Sequence, residues 1–92
     1  MIKTIRHRGL KRLYEQDDRS RVDPRLAPKR RHVLFRLQGA SVVEDMNQPG
    51  YALHPLSGDL NGFWAVRVSA NWRVIFRFVD GHAFDVDLVD YH

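Results

Sequence analysis

Two stretches of the chain alternate apolar and polar residues with a period of two, as strands with one buried face do. In residues 63–69, Trp64, Val66 and Val68 share one side; in residues 72–78, Trp72, Val74, Phe76 and Phe78 do. A continuous aromatic surface requires these sides to face the same way. That fixes the register, because a slip of one residue would turn every side chain to the opposite face. Val68 opposite Trp72 leaves a three-residue loop, Ser69-Ala70-Asn71, in which Asn71 suits the left-handed conformation of a bulged turn. The same register sets Arg67 directly across from Arg73 on the other face. Like charges in that position repel. The pair therefore predicts either an anion site, where a phosphate turns repulsion into charge-assisted hydrogen bonds, or two arginines splayed towards separate acids.

A third strand is expected over residues 82–92, where Phe84, Val86 and Leu88 alternate with Asp85 and Asp87. A two-residue hairpin at Asp80-Gly81 would turn both aspartates to the apolar face. A three-residue loop, Asp80-Gly81-His82, pairs Phe78 with Phe84 and Arg77 with Asp85 instead. It is preferred because burying carboxylates without partners costs several kcal/mol, roughly. It also sets Val89 opposite Arg73 and leaves Tyr91 on the arginine face, so the chain ends beside the anion site.

Upstream, Ile2 and Ile5 mark a short edge strand in residues 1–6. Leu10, Leu13 and Tyr14 recur at helical spacing over residues 8–16. Asp23-Pro24 resembles a helix start, but Pro28 removes an amide, so the regular helix begins or kinks near Pro28 and runs to about Gln38, with Gly39 ending it. Leu26, Val33, Leu34 and Leu37 form its buried stripe. Arg25, Lys29, His32 and Arg36 form a basic stripe suited to a phosphate backbone or to solvent. Ser41 to Glu44 has capping-box spacing and predicts one helical turn into Met46. The expected architecture is α+β: a small antiparallel sheet, two N-terminal helices packed on one face, and a basic, open second face.

Ninety-two residues make one small domain, residues 1–92, without room for a second core. Cysteine is absent, which excludes disulfides and thiolate chemistry. No membrane-length apolar run or signal-peptide pattern is present, pointing to the cytoplasm. Charge is divided unevenly. Residues 1–40 carry twelve Lys/Arg against four Asp/Glu, and residues 41–92 carry three against seven. A basic first half is an electrostatic footprint for a polyanion, most simply nucleic acid.

No phosphate-binding glycine loop, nucleophile elbow or metal-ligand spacing occurs, and the five histidines form no zinc pattern. What remains is His54 before the central strands, Arg67 and Arg73 within them, and the terminal Asp90-Tyr91-His92. This set suits metal-free phosphodiester cleavage, which needs one group to take the attacking hydroxyl's proton, one to protonate the leaving oxygen, and cations for the phosphorane charge. His54 and His92 suit the proton transfers, and Arg73 the clamp on the transition state. Arg25, Lys29 and Arg77 are expected to meet the RNA backbone with Arg67.

The blocks MIKTIRHRGLKRLYE, PGYALHPLSGDLNGFW, SANWRVIFRFVDG and DVDLVDYH resemble the HigB branch of the RelE/ParE superfamily. These are toxins of type II toxin–antitoxin modules, also known as plasmid maintenance killer proteins. The resemblance implies a RelE-like microbial RNase fold. It also implies a metal-free, cofactor-free endoribonuclease that cuts mRNA in the decoding site of the 70S ribosome and thereby inhibits translation. The implied partner is a HigA-type helix-turn-helix antitoxin, in an oligomeric complex. By the same resemblance, the histidine of L-H-P-L is His54, the arginine of N-W-R is Arg73, and the terminal D-Y-H is Asp90, Tyr91 and His92. One departure stands out: Ser57 occupies the place of a lysine in H-P-L-K-G and supplies no cation. Either Arg67 compensates, or the chain is a catalytically weakened RNA- or ribosome-binding domain on the same scaffold.

Overall fold

The structure, a computed structural model, describes residues 1–16 and 27–90. The Asp23-Pro24 start, Arg25, Leu26, Tyr91 and His92 lie outside the described residues. Helix α1 spans Arg8–Gln16 and helix α2 spans Ala27–Gly39, as helical spacing predicts. Pro28 sits in the first turn of α2, where its missing amide has no intrahelical partner to lose. Leu10 and Leu13 of α1 and Val33, Leu34 and Leu37 of α2 are buried in one core with Val66, Val68, Val74 and Phe76. Arg30 is buried on the same side, at 4% exposure, with its guanidinium 5.4 Å from the centre of the Trp72 ring. Charge spacing places Arg30 on no face of interest. It is retained in the core because the tryptophan's π-face receives the cation.

The four strands are β1 (His54–Pro55), β2 (Phe63–Arg67), β3 (Trp72–Val79) and β4 (His82–Asp90), in the antiparallel order β1-β2-β3-β4. Trp64 faces Phe76, Val66 faces Val74, and Arg67 faces Arg73, the register predicted from the buried faces. Residues 1–6 run along the free side of β4, where Ile2 bridges Ala83 and Ile5 bridges Val86 in parallel. The loop between β2 and β3 closes with the Val68 amide donating to the Trp72 carbonyl at 3.0 Å. Asn71 is not left-handed. Among the described residues, only Ala52, Asp80 and Asp85 outside the glycines have positive φ.

The junction of β3 and β4 differs from the sequence expectation. Val79 pairs with His82, Phe78 with Ala83 and Arg77 with Phe84, so the turn has two residues, Asp80 and Gly81. Their φ values of 51° and 79° are those of a tight turn with both central residues left-handed. Past Phe84 a β-bulge adds one residue to β4, and Ile75 then faces Asp87 and Arg73 faces Val89. The bulge residue is Asp85, at φ 55°. It returns Val86 and Leu88 to the core and keeps the carboxylates out of it, resolving the conflict that the longer loop was meant to avoid. Arg77 still meets Asp85, at 3.4 Å. The Asp85 amide donates to Thr4 Oγ1 at 2.7 Å.

The second face of the sheet also departs from expectation. It is not simply open and basic, because Phe63, Ala65 and Ile75 are buried there with Leu56, Leu60 and Val89 packed around them. The turn at Val43–Met46 forms as expected, but Asp45 rather than Glu44 caps it: its Oδ2 accepts the Ser41 and Val42 amides at 2.9 and 3.2 Å. Those bonds hold the Asp45 carboxyl below its ordinary range.

His7 caps α1, its Nδ1 accepting the Leu10 amide at 3.1 Å. This requires neutral imidazole, since a protonated Nδ1 is a donor facing a donor. Burial lowers the His7 pKa below its ordinary 6.5; Asp87 opposes the shift and Arg30 adds to it. Between the lowered folded value and 6.5 the unfolded chain binds more protons, so stability rises with pH there, is fully present above 6.5 and is lost in acid. His7→Asn keeps a capping oxygen without titrating. Denaturant midpoints measured against pH are expected to fall less below pH 6.5 in His7→Asn than in wild type.

Candidate active site

The face of the sheet turned away from the helices carries the arginines. Arg73 Nη1 donates to the carbonyls of Ser69, Ala70 and Trp72 at 2.9, 3.3 and 3.1 Å. Arg67 Nε lies 3.4 Å from the same Ser69 oxygen. The repulsion between opposed guanidiniums is thus relieved by carbonyl dipoles of the loop that joins their strands, which neither sequence alternative foresaw. Arg73 is half-buried and Arg67 exposed. The loop holds the pair at one end of the sheet.

His54 faces Ala65, which precedes Arg67 by two residues on the same side of β2. It is therefore two strands and one pleat from Arg73, about 12 Å between Cα positions from ordinary sheet spacings. An arginine side chain and a bound phosphate span that gap. His54 Nδ1 lies 2.8 Å from the Ala52 carbonyl. An Nδ1–H donated to that oxygen leaves Nε2 with its lone pair, the form that accepts a proton. Ala52 adopts φ 50°, the backbone distortion that aims its carbonyl back at the imidazole.

Ser57 lies beyond β1 and caps the short 3₁₀ turn Gly58–Leu60 from its exposed N-terminal side. It stands near Phe63, four residues or about 14 Å along β2 from Arg67. Arg67 therefore does not take the place of a cation at position 57. Two other arginines are nearer: Arg77 faces Phe63 across β2 and β3, and the Arg6 guanidinium lies 5.7 Å from the Phe63 ring centre. Asp85 joins them, at 3.4 Å from Arg77 and 3.6 Å from Arg6. Arg6 comes from beyond β4 yet meets a ring on β2, across three strand spacings or about 14 Å of flat sheet. This face therefore carries an apolar patch of Phe63, Ala65 and Ile75 covered by Leu56, Leu60 and Val89, arginine pairs at both ends, and His54 at the β1 edge. Arg6 escaped sequence reasoning because only the edge placement of residues 1–6 brings it here.

Asp90 ends β4, exposed and paired with Trp72, one position past the Val89 that faces Arg73. Lys29 is exposed on α2, across the sheet from the arginine face, and is not brought together with Arg67, Arg73 or Arg77. Among the described residues no three His, Asp or Glu side chains come together as metal ligands, and no helix is long and apolar enough to cross a membrane.

A four-stranded antiparallel sheet with two helices on one face and arginines on the other is a small α+β fold. It superposes on the crystal structure of YafQ from E. coli BL21(DE3) with a TM-score of 0.66 at 14% identity, covering 98% of this chain and 91% of that one. Residues 3–92 match the HigB-like toxin family, the RelE-like toxin of type II toxin–antitoxin system HigB, and the chain belongs to that family. It is 38% identical to the Endoribonuclease HigB of Proteus vulgaris over the whole of both chains. It is 32% identical to Toxin HigB-1 of Vibrio cholerae serotype O1, over 96% of this chain and 95% of that one.

The loop contacts give Arg73 a structural role beside any chemical one. Removing its charged donors is expected to destabilise the fold by about 1.5–3 kcal/mol while leaving it folded. Chemical denaturation of Arg73→Ala beside Arg67→Ala checks this; an equal loss in both would contradict it, since Arg67 makes one longer contact.

Proposed function

We propose that this toxin is a metal-independent endoribonuclease that cuts mRNA in the ribosomal decoding site. The observation that carries it is the opposed Arg67–Arg73 pair, on the same face of the sheet as His54, whose Nδ1 lies against the Ala52 carbonyl. Its 38% identical full-length relative bears the name endoribonuclease.

The substrate's 2′-oxygen gives its proton to His54 Nε2 and attacks the adjacent phosphorus. The non-bridging oxygens gain negative charge as the phosphorane forms, and the guanidiniums of Arg73 and Arg67 neutralise it through charge-assisted hydrogen bonds. The 5′-oxygen leaves with the bonding pair and takes a proton from His92, giving a 2′,3′-cyclic phosphate and a 5′-hydroxyl. Tyr91 and Asp90 orient that donor in this scheme. Arg77, with Arg6, grips the strand at the Ser57 end, where the backbone lacks the cation of a lysine. Lys29 acts on a different side, and it and Arg25 meet phosphates of the RNA through charge. The work is done in the cytoplasm on the 70S ribosome, and a HigA-type antitoxin neutralises the toxin in an oligomeric complex.

Arg73→Ala is expected to abolish growth inhibition, and His54→Asn to slow cleavage about 10²- to 10⁴-fold, the range of a lost proton-transfer group. Primer extension on cellular mRNA after induction reads both; new ends in translated frames are expected with wild type alone. Undiminished toxicity from Arg73→Ala would sink the assignment. Ser57 favours one further reading, a weakened nuclease that chiefly binds. Ser57→Lys separates the two: a modest change in cleavage supports an active wild type, and a large gain from a baseline near zero supports the weakened one.

A further inference from the structure

We infer that the outward face of α2, centred on Phe35, is the docking surface for an acidic, apolar-anchored segment of the antitoxin. The inference rests on the chain being the toxin of a toxin–antitoxin pair, and not on its nuclease chemistry.

Phe35 is 79% exposed in the middle of α2, far more than any other large apolar side chain among the described residues. Burying a phenylalanine is worth about 1.5–3 kcal/mol, so the fold forgoes that gain here. The ring stands between two concavities. One, of about 530 Å³, lies towards Leu13, Tyr14 and Pro28. The other, of about 440 Å³, lies between α2 and the Val43–Met46 turn, bordered by His32, Arg36, Gly39, Ala40, Gln48 and Asp45, whose carboxylate is taken up by the Ser41 and Val42 amides. A ridge with a groove on either side is the relief that receives an apolar side chain from a partner.

Gly39 adds an independent observation. Gly50, Gly58, Gly62 and Gly81 all have positive φ, which explains a glycine at each. Gly39 does not, and a Cβ built there meets nothing within 4 Å. Among the described residues no packing contact requires this glycine at the end of α2, whereas an external side chain entering the second groove needs the space above it.

The charge identifies the occupant. Helix α2 contains no Asp or Glu and carries basic residues from its first turn onwards. Cations at a helix N-terminus oppose the macrodipole, and no acid sits at i+4 to offset them. Helix stability is therefore not their purpose. His32 and Arg36 are exposed along this side, which calls for a negatively charged partner. RNA is negative too, but the Arg67–Arg73 face lies across the sheet, and a groove beside an exposed ring is shaped for an aliphatic or aromatic side chain. An amphipathic protein segment satisfies both requirements.

The experiment measures the affinity of the purified chain for the antitoxin encoded in its own operon, beside RNA cleavage and thermal stability of each variant. Phe35→Ala and Gly39→Trp are each expected to weaken binding at least about 30-fold, the effect of losing a hot spot, with cleavage and melting unchanged. His32→Glu with Arg36→Glu is expected to weaken it further and to remove its salt dependence. Val79→Ala, at another exposed apolar position, is expected to change nothing. Wild-type affinity in Phe35→Ala and Gly39→Trp would overturn the proposal, as would failure of wild type to bind the antitoxin. A loss of cleavage with antitoxin binding intact would assign the face to the ribosome instead. A wild-type dimer that Phe35→Ala dissociates would assign it to a second copy of the chain. A chain that binds antitoxin through Phe35 yet cuts no RNA would support this surface and remove only the nuclease reading.

Discussion

The register between β2 and β3 is the constraint from which the rest follows. Val66, Val68, Val74 and Phe76 are at or below 1% exposure. Moving the hairpin by one residue would expose this set and bury charged positions in its place. In the alignment that buries them, Arg67 and Arg73 oppose each other on the far side. The core thus forces the arginine pair into being, and the loop carbonyls of Ser69, Ala70 and Trp72 make it tolerable.

The sheet consequently has two functions separated by its own thickness. On one side α1 and α2 seal the core, with Arg30 stacked on Trp72 so that the base of β3 is tied to the helix layer directly behind Arg73. On the other side a smaller apolar floor carries polar groups at its rim. The bulge at Asp85 links the two. It keeps β4 in phase with the core and bends the sheet, and its carboxylate gathers Arg6 and Arg77 at the end opposite the Arg67–Arg73 pair. In the proposed reading, a face with cations at both ends and an imidazole at its edge takes the RNA, and the helix face is left for a second partner.

Period-two patterning and one register argument made most of this legible beforehand: both helices, the Arg67–Arg73 pairing, Val89 opposite Arg73 and His54 on the first strand. What escaped depends on backbone geometry that periodicity does not encode. Asp80-Gly81 has the composition of a two-residue turn, and rejecting it was reasonable only if β4 were regular; the left-handed Asp85 made the rejected turn correct. Phe63, Ala65 and Ile75 were not recognised as a second cluster because the covering residues, Leu56 and Leu60, lie in an irregular loop. Arg67 looked like a substitute for the cation missing at Ser57 until strand order put them at opposite ends. Asn71 seemed the natural left-handed residue of its loop, but arginine-to-carbonyl bonds close that loop without one.

The central claim is that opposed guanidiniums on one face of the sheet hold one RNA phosphate next to a proton-accepting imidazole. The most direct measurement is an experimental structure of the chain on a ribosome carrying mRNA with a 2′-O-methyl group at the cleavage position, which blocks attack. The account predicts the phosphate beside that group lying between Arg67 and Arg73, with His54 Nε2 turned towards the methylated oxygen. RNA lying along α2, or a phosphate held away from both arginines, would contradict it.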